Sequence, residues 1–221
     1  MRRYFITATG TEIGKTFVTA LLTRQARARG LSVRALKPVL SGYEDGMTES
    51  DSHQLLAAQG LDATADNIHA ITPWRFRAPL SPDMAAAREG KVIDVAALGA
   101  FSKAALVGPE NLVLIEGVGG AFVPLDDRHT VADWMMDTGA PALVIAGSYL
   151  GTISHSIATV TALQTRGIPV AAIILSASPI SPVPLEETAA TIRRHLDIPV
   201  LILPRLGDDL TGAPDLLTAL L

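Results

Sequence analysis

The feature that most constrains this chain is the loop at residues 9–16, which lies between a predicted strand and a predicted helix. Apolar residues dominate positions 3–7, as expected for a buried strand. Residues 15–29 repeat apolar side chains at helical spacing and are followed by a glycine, a common helix stop. A chain that opens with a strand, a Gly-containing loop and a helix is typical of an α/β fold.

The loop itself carries most of a phosphate-binding pattern, which is Gly, four residues, then Gly-Lys-Ser/Thr. Thr9 occupies the first Gly position, while Gly14, Lys15 and Thr16 match the second half. Gly14 lets the backbone approach a phosphate, Lys15 supplies a cation, and the Thr16 hydroxyl can ligate Mg²⁺. Backbone N–H groups at the start of the helix also favour an anion. The loop therefore predicts a nucleotide-phosphate site.

Strand and helix patterns alternate along the rest of the chain. The alternation predicts an α/β fold with a mostly parallel central sheet and helices on both faces. Together with the loop at residues 9–16, it predicts the P-loop NTPase type. No linker divides the chain, so residues 1–221 are predicted to form a single P-loop domain. The predicted strands are residues 32–36, 112–115, 142–146, 170–175 and 200–203, and the predicted helices are residues 51–59, 94–107, 130–138, 152–166, 184–195 and 214–221.

Composition excludes several functional classes. The net charge is −4 and no basic stripe is present, which disfavours nucleic acid as a partner. No apolar run approaches the ~20 residues that cross a bilayer, so no membrane association is expected. The chain has no Cys, which excludes disulfides and thiolate catalysis and fits a cytoplasmic location. The Pro-rich, aperiodic residues 70–82 are expected to form a functional loop.

Two charged residues end predicted strands on the side of the sheet where ligands bind. Glu116 closes an apolar strand and precedes the glycine-rich residues 117–120. Lys37 follows the second strand. Glu116 would meet Mg²⁺ there and Lys37 would neutralise negative charge. Taken alone, either residue is more often a solvated side chain, but the phosphate loop favours the metal role of Glu116.

The order of these segments resembles the dethiobiotin synthetase family. The similarity extends from Phe5 to about Pro204, and several of its motifs are specific to that family. Besides the phosphate loop, the matching segments are residues 37–42 (Lys-Pro-Val-Leu-Ser-Gly), Asp51, residues 79–82 (Pro-Leu-Ser-Pro), residues 116–120, residues 133–135 and residues 150–153.

The resemblance implies an ATP-dependent cyclo-ligase of biotin biosynthesis that uses Mg²⁺. Such enzymes join 7,8-diaminopelargonate and CO₂, using ATP. A carbamate forms on one amine, ATP converts it to a mixed anhydride, and the second amine closes the ring of dethiobiotin. This chemistry requires positioned anions and neutralised charge rather than a protein nucleophile.

The resemblance also implies the site residues and a homodimer. The first turn of a helix near residue 152, supplied by the neighbouring subunit, would receive the substrate carboxylate. The implied catalytic residues are Lys37, Lys15, Thr11 and Glu12; the substrate-binding residues are Ser41, Gly151, Thr152 and Ile153; the metal ligands are Thr16, Asp51 and Glu116; and the nucleotide-binding residues are Glu12, Ile13, Gly14, Lys15, Thr16, Phe17, Asp51, Glu116, Gly117, Val118, Gly119, Ser176 and Pro204.

Three positions depart from the family pattern. Ala8 replaces a Gly before the loop, and Ser154 stands where the family often has Asn. Ser176 stands where an Asn commonly contacts the nucleotide base. A hydroxyl cannot reproduce the paired donor and acceptor of an amide, so nucleotides other than ATP are also compatible with this sequence.

Two other functions fit parts of the sequence. One is a switch ATPase of the chromosome-partitioning or septum-placement class, although its extra early Lys is replaced here by Gly10. The other is a relative of the corrin amide ligases, which normally carry a glutaminase domain with a catalytic Cys. Both remain alternatives to the cyclo-ligase.

Overall fold

The computed structural model describes residues 1–207, 210 and 212–220. Strands and helices alternate along this part of the chain. In order they are β1 (Arg2–Ala8), α1 (Lys15–Ala28), β2 (Val33–Leu36), β3 (Val39–Ser41), α2 (Asp51–Gln59), α3 (Ala65–Ile71), β4 (Trp74–Phe76), α4 (Pro82–Arg88), α5 (Val95–Leu106), β5 (Leu112–Glu116), α6 (Val131–Thr138), β6 (Ala142–Ala146), α7 (Thr152–Thr165), β7 (Val170–Ser176), α8 (Leu185–His195), β8 (Val200–Leu203) and a 3₁₀ turn (Thr218–Leu220).

The main sheet has the order β2-β5-β1-β6-β7-β8, and each pair of neighbours is parallel. Strand β1 therefore lies between β5 and β6, and the carboxyl ends of all three open at the same edge. The connection from β1 to β2 crosses β5 on one side, and the connection from β5 to β6 crosses β1. This is the point where a parallel sheet leaves a crevice for a ligand.

Helices cover both faces of the sheet, as predicted. Strand β1 shows how the faces separate, because Tyr4 and Ile6 belong to the core layer of α1, α2 and α3, whereas Phe5 belongs to that of α4 to α8. Strand β5 is buried at every position, which is the pattern of a central strand with a layer on each side. In the described residues no helix is both long enough and apolar enough to cross a membrane.

The structure corrects the predicted elements in two places. Residues 70–82, predicted as a loop, contain β4, which pairs in parallel with β3 to form a second small sheet. Sequence patterns missed β3, β4, α3 and α4 because elements of three to seven residues are too short to show a period. The helix predicted at residues 214–221 is only the 3₁₀ turn, and residue 221 lies outside the described residues.

Helix α6 is held at its start by a capping box. The Asp133 carboxylate accepts hydrogen bonds from the Thr130 backbone N–H and hydroxyl, both at 2.7 Å, and it also pairs with Arg166. The next residue, Trp134, is fully buried, donates from its ring to Ser102 at 2.9 Å and packs edge-on against Phe5. The capping box thus fixes the start of α6, and Trp134 of this helix joins one core layer to β1 through Phe5.

We expect Asp133→Ala to lower the free energy of unfolding by about 1 kcal/mol at pH 7, the usual value of a cap. Burial acts to raise the Asp133 pKa, but the Thr130 hydrogen bonds and Arg166 outweigh it and hold the pKa below its ordinary value. The stabilisation is therefore complete above the unfolded pKa of about 3.9 and is lost as the pH falls through the lower folded value. Urea denaturation at pH 7 and pH 3 measures the difference.

Asp137→Ala is the matched control, since Asp137 lies on the same helix and forms an exposed pair with Lys103. Such surface pairs contribute roughly 0–1 kcal/mol, so this variant should change stability little at either pH. Equal losses for the two variants, or a loss at Asp133 that persists undiminished at pH 3, would contradict the capping role.

Candidate active site

The phosphate loop at residues 9–16 leaves β1 and turns into α1 with two residues in the left-handed region. Glu12 has φ 58° and Gly14 has φ 92°. Gly14 is the N-cap of α1, which begins at Lys15, and a side chain other than glycine is strained in that conformation. The turn aims the free backbone N–H groups of α1 toward the crevice at the end of β1, where they can bind an anion.

Lys15 folds back over the loop instead of reaching into solvent. Its Nζ donates to the Gly119 carbonyl at 2.6 Å and lies 3.5 Å from the Gly10 carbonyl. Only 7% of its surface is exposed. Burial, together with the nearby positive charge of Lys37, lowers the Lys15 pKa to about 8. A phosphate placed beside Lys15 would favour its charged form.

Lys37, directly after β2, lies between two carboxylates that come from distant parts of the chain. Its Nζ is 2.7 Å from Glu116 Oε1 and 2.9 Å from Asp51 Oδ2, and it donates to the Gly117 carbonyl at 3.0 Å. Glu116 ends β5, and Asp51 is the first residue of α2. The predicted Lys37, Asp51 and Glu116 are therefore in direct contact.

Charge pairing sets the protonation of this cluster. Burial acts to lower the Lys37 pKa, but the charges and hydrogen bonds of Glu116 and Asp51 outweigh burial and raise it. Burial acts to raise the Asp51 pKa, yet Lys37, the Thr16 hydroxyl and Lys15 hold it below its ordinary value. Lys37 is thus a cation and Asp51 an anion at neutral pH.

The three predicted metal ligands fit a divalent cation. Thr16 Oγ1 donates to Glu116 Oε1 at 2.7 Å, and Lys37 Nζ contacts both Glu116 Oε1 and Asp51 Oδ2. Glu116 is fully buried, and its Oε2 finds no hydrogen-bond partner among the described residues. In the same residues no three Asp, Glu or His side chains form a metal site by themselves. Mg²⁺ commonly takes one or two carboxylates and completes its shell with water and phosphate.

A cavity of about 640 Å³ opens over this cluster. The structure brings most predicted site residues to it, including Ser41, whose Oγ is buried and has no partner in the described part of the chain. Sequence reasoning did not assign Leu40, Pro79 to Pro82 or Val123 to the site, although the Pro-rich segment was expected to be functional. Of the predicted site residues, those that line this cavity are Thr11, Glu12, Ile13, Gly14, Lys15, Thr16, Lys37, Ser41, Asp51, Val118 and Gly119.

A second cavity of about 300 Å³ lies on the other side of the phosphate loop. Glu12, Ile13 and Gly14 line both cavities, so the loop forms the wall between them. The predicted Phe17, Ser176 and Pro204 line only the second one. Sequence reasoning missed five further lining residues, which follow β7 and β8 and carry no motif: Ala177, Ser178, Pro179, Arg205 and Leu206.

The predicted carboxylate-binding residues lie apart from both cavities within one copy of the chain. Gly151 is the N-cap of α7, and Thr152 and Ile153 begin the helix. Gly151 and Ile153 line a shallow groove that continues along α7 past Ile157 and Ala158. Ser154, one of the three departures from the pattern, also lines this groove, whereas Ala8 is buried at the end of β1.

Comparison with known proteins gives matches over most of the chain. A family model described as an AAA domain matches residues 2–209. The ATP-dependent dethiobiotin synthetase BioD of Acidiphilium cryptum is 49% identical over 89% of this chain and 89% of that protein. The protein of the same name from Methylobacterium nodulans is 45% identical over 94% of this chain and 95% of its own length. That of Caulobacter vibrioides is 40% identical over 99% of this chain and 100% of its own.

Solved structures with the same architecture are far more distant in sequence. The septum site-determining protein MinD of Pyrococcus horikoshii, solved with Mg-ADP, has a TM-score of 0.56 at 17% identity, covering 92% of this chain and 81% of its own. A ParA family ATPase of Chlorobium tepidum has a TM-score of 0.57 at 12% identity, covering 94% and 86%. At such identities the likeness shows the fold alone, and it confirms the predicted P-loop type.

Proposed function

Since the chain belongs to the family of ATP-dependent dethiobiotin synthetases, we propose that it joins 7,8-diaminopelargonate and CO₂ to give dethiobiotin, ADP and phosphate. The observation that carries the proposal is that Lys15, Lys37 and Asp51 line one cavity beside the phosphate loop, where Lys37 is paired with Asp51 and with the buried Glu116. Two cations and a pair of metal-ligating carboxylates suit a reaction in which every intermediate is anionic. Residues 1–221 act as a single P-loop domain in the cytoplasm.

The bonds change in three steps. One amine of the diamine adds to CO₂ and loses a proton, which leaves a carbamate. A carbamate oxygen takes the γ-phosphoryl group of ATP, ADP departs, and a mixed anhydride results. The second amine then attacks the carbamate carbon and loses a proton, the bond from that carbon to the phosphorylated oxygen breaks, and phosphate leaves as the ring closes. No protein nucleophile takes part, so the chain has to position the reactants and neutralise charge.

The phosphates lie over the phosphate loop in this proposal. The N–H groups at the start of α1 and the Lys15 ammonium bind the outer phosphates, exchanging the carbonyl partners that Lys15 has in their absence. Thr11 and Glu12 lie at the same wall of the cavity and face the transferring group. The base occupies the second cavity against Phe17, Ser176 and Pro204, with residues 116–119 beside the phosphates.

Thr16, Asp51 and Glu116 would hold Mg²⁺, which would neutralise negative charge on the phosphates when it is bound. Glu116 Oε2 has no hydrogen-bond partner among the described residues, and this supports the assignment, because a buried carboxylate oxygen is costly to leave without a ligand. Lys37 stabilises the carbamate and the transferring phosphoryl group. Ser41, across the cavity, donates to the diamine or its carbamate.

The experiment that tests the reaction supplies MgATP, bicarbonate and diaminopelargonate and detects dethiobiotin by mass. We expect product only when all three are present, with one ADP released for each dethiobiotin. ADP release that is indifferent to the diamine would contradict the ligase and favour a switch ATPase.

Ser41→Ala tests the substrate side of the cavity. We expect the KM for diaminopelargonate to rise about tenfold, which corresponds to one lost hydrogen bond. The free energy of unfolding should not fall, because the hydroxyl has no protein partner in the described residues. Steady-state kinetics and urea denaturation measure the two effects.

Thr7→Val is the matched control, since the Thr7 hydroxyl is also buried without a described partner but lines neither cavity. Its KM should equal that of the wild type. A KM unchanged in Ser41→Ala, or raised equally in both variants, would place Ser41 outside the substrate site.

The carboxylate end of the diamine needs a second copy of the chain in this proposal. The groove on α7 is lined by uncharged residues, and Leu150, just before it, leaves 87% of its surface exposed. An uncharged face beside an exposed Leu is suited to pairing with an identical face. Such a dimer brings the N–H groups of Gly151, Thr152 and Ile153 to the partner's cavity.

Ala158→Glu places a charge on this face without altering the core, since Ala158 is exposed. We expect the wild type to have the mass of two 23.2 kDa chains in solution. The variant should be monomeric and bind diaminopelargonate more weakly, with nucleotide binding retained. Light scattering after gel filtration and calorimetry measure these changes.

Ala190→Glu is the control, because Ala190 is an exposed residue of α8 outside the groove. That variant should remain a dimer. A monomeric wild type, or dimers of unchanged strength in Ala158→Glu, would rule out this face as the interface.

A further inference from the structure

Three groups of the protein enclose the Lys37 ammonium. An ammonium has three N–H donors, and the Nζ contacts Glu116 Oε1 at 2.7 Å, Asp51 Oδ2 at 2.9 Å and the Gly117 carbonyl at 3.0 Å. The Lys37 side chain is only 4% exposed. Because the ammonium is buried against these three groups, its proposed contact with the carbamate requires a change of partners.

The charges of the cluster are balanced without any ligand. Lys15 and Lys37 contribute two positive charges, and Asp51 and Glu116 contribute two negative ones. Free Mg²⁺ added to this set would leave two uncompensated positive charges in a largely buried site, which is costly. MgATP instead brings a net negative charge, and its phosphates can take over an ammonium that the carboxylates release.

The hydroxyl and carboxylate oxygens around Lys37 are those that suit a divalent cation. Glu116 Oε1 accepts from both Thr16 Oγ1 and Lys37 Nζ, so the ammonium stands where Thr16, Asp51 and Glu116 converge. Glu116 Oε2, fully buried and without a partner in the described residues, gives an arriving cation a first ligand. A cation held by Thr16, Asp51 and Glu116 would therefore compete directly with the Lys37 ammonium.

We propose that Lys37 is an internal substitute for the divalent cation. In the nucleotide-free protein it holds Asp51 and Glu116 together and excludes free Mg²⁺, and it leaves them for the reacting oxygens when Mg²⁺ arrives with the nucleotide. The inference rests on the proposed function in that the site binds MgATP. It adds that metal and Lys37 exclude one another at these carboxylates.

Metal binding to the nucleotide-free protein tests the competition. Calorimetric titration with MgCl₂, in the absence of nucleotide and diamine, compares the wild type with Lys37→Met. We expect Lys37→Met to bind Mg²⁺ roughly tenfold to a hundredfold more tightly, the range of a typical coupling between two sites. Mg²⁺ should also raise the melting temperature of Lys37→Met more than that of the wild type, because a ligand stabilises the state that binds it.

Lys15→Met is the matched control, since Lys15 has the same charge and a similar burial but donates to carbonyls. Its Mg²⁺ affinity should change by no more than a few-fold. Equal Mg²⁺ affinities in the wild type and Lys37→Met, or an equal gain in Lys15→Met, would overturn the proposal.

A measurement on the wild type keeps the proposal testable if Lys37→Met folds poorly. In protein labelled with ¹⁵N-lysine, the buried Lys37 ammonium should give a protected NMR signal. ADP without metal should leave this signal in place, whereas MgADP should shift or broaden it. A Lys37 signal that MgADP does not change would show that Lys37 stays paired with Asp51 and Glu116, which would overturn the proposal. Neither measurement uses the diamine, so a failure to make dethiobiotin would not be mistaken for a failure of this inference.

Discussion

The buried charge of Glu116 is the constraint on which the rest of the site depends. Strand β5 carries this carboxylate to the sheet edge with no exposure to water, and an unpaired charge there would be strongly destabilising. Lys37 from the end of β2 and Thr16 from the first turn of α1 provide its partners. A single compensated charge thus joins three elements that are far apart in the chain.

The parallel order of the sheet explains why these partners can meet. Strand β1 lies between β5 and β6, and β2 lies on the other side of β5. The carboxyl ends of neighbouring parallel strands share an edge, so the loop after β1, Lys37 after β2 and Glu116 at the end of β5 converge. The phosphate loop then divides the crevice into two cavities, one over the charged cluster and one reaching the loops after β7 and β8.

The two lysines differ in what holds them. Lys15 donates to carbonyls of the loops around it, and its lowered pKa reflects burial and the neighbouring cation. Lys37 is held by two carboxylates, which raise its pKa despite burial. An incoming phosphate therefore improves the surroundings of Lys15, whereas Lys37 has to exchange anionic partners. This difference allows Lys15 to bind the nucleotide, whereas Lys37 acts only after MgATP has bound.

Much of the fold followed from local patterns. The apolar runs of β5 and β6 and the helical spacing of α1 and α2 predicted these elements, and the pattern around Gly14, Lys15 and Thr16 predicted the loop between β1 and α1. Sequence patterns did not reveal the small sheet of β3 and β4, because its three-residue strands are stabilised by each other, with Val39 opposite the distant Trp74, and not by any local period.

The sequence by itself determined the P-loop fold, the family and the residue types at the site, because periodicity and motif spacing are local properties that survive without coordinates. Only the tertiary structure decided which of those residues touch. It placed Lys37 against both carboxylates, left Glu116 Oε2 without a described partner, and separated the start of α7 from the cavities within one copy. Contacts between segments many residues apart depend on strand order and packing, and neither is encoded in the spacing of the residues that form them.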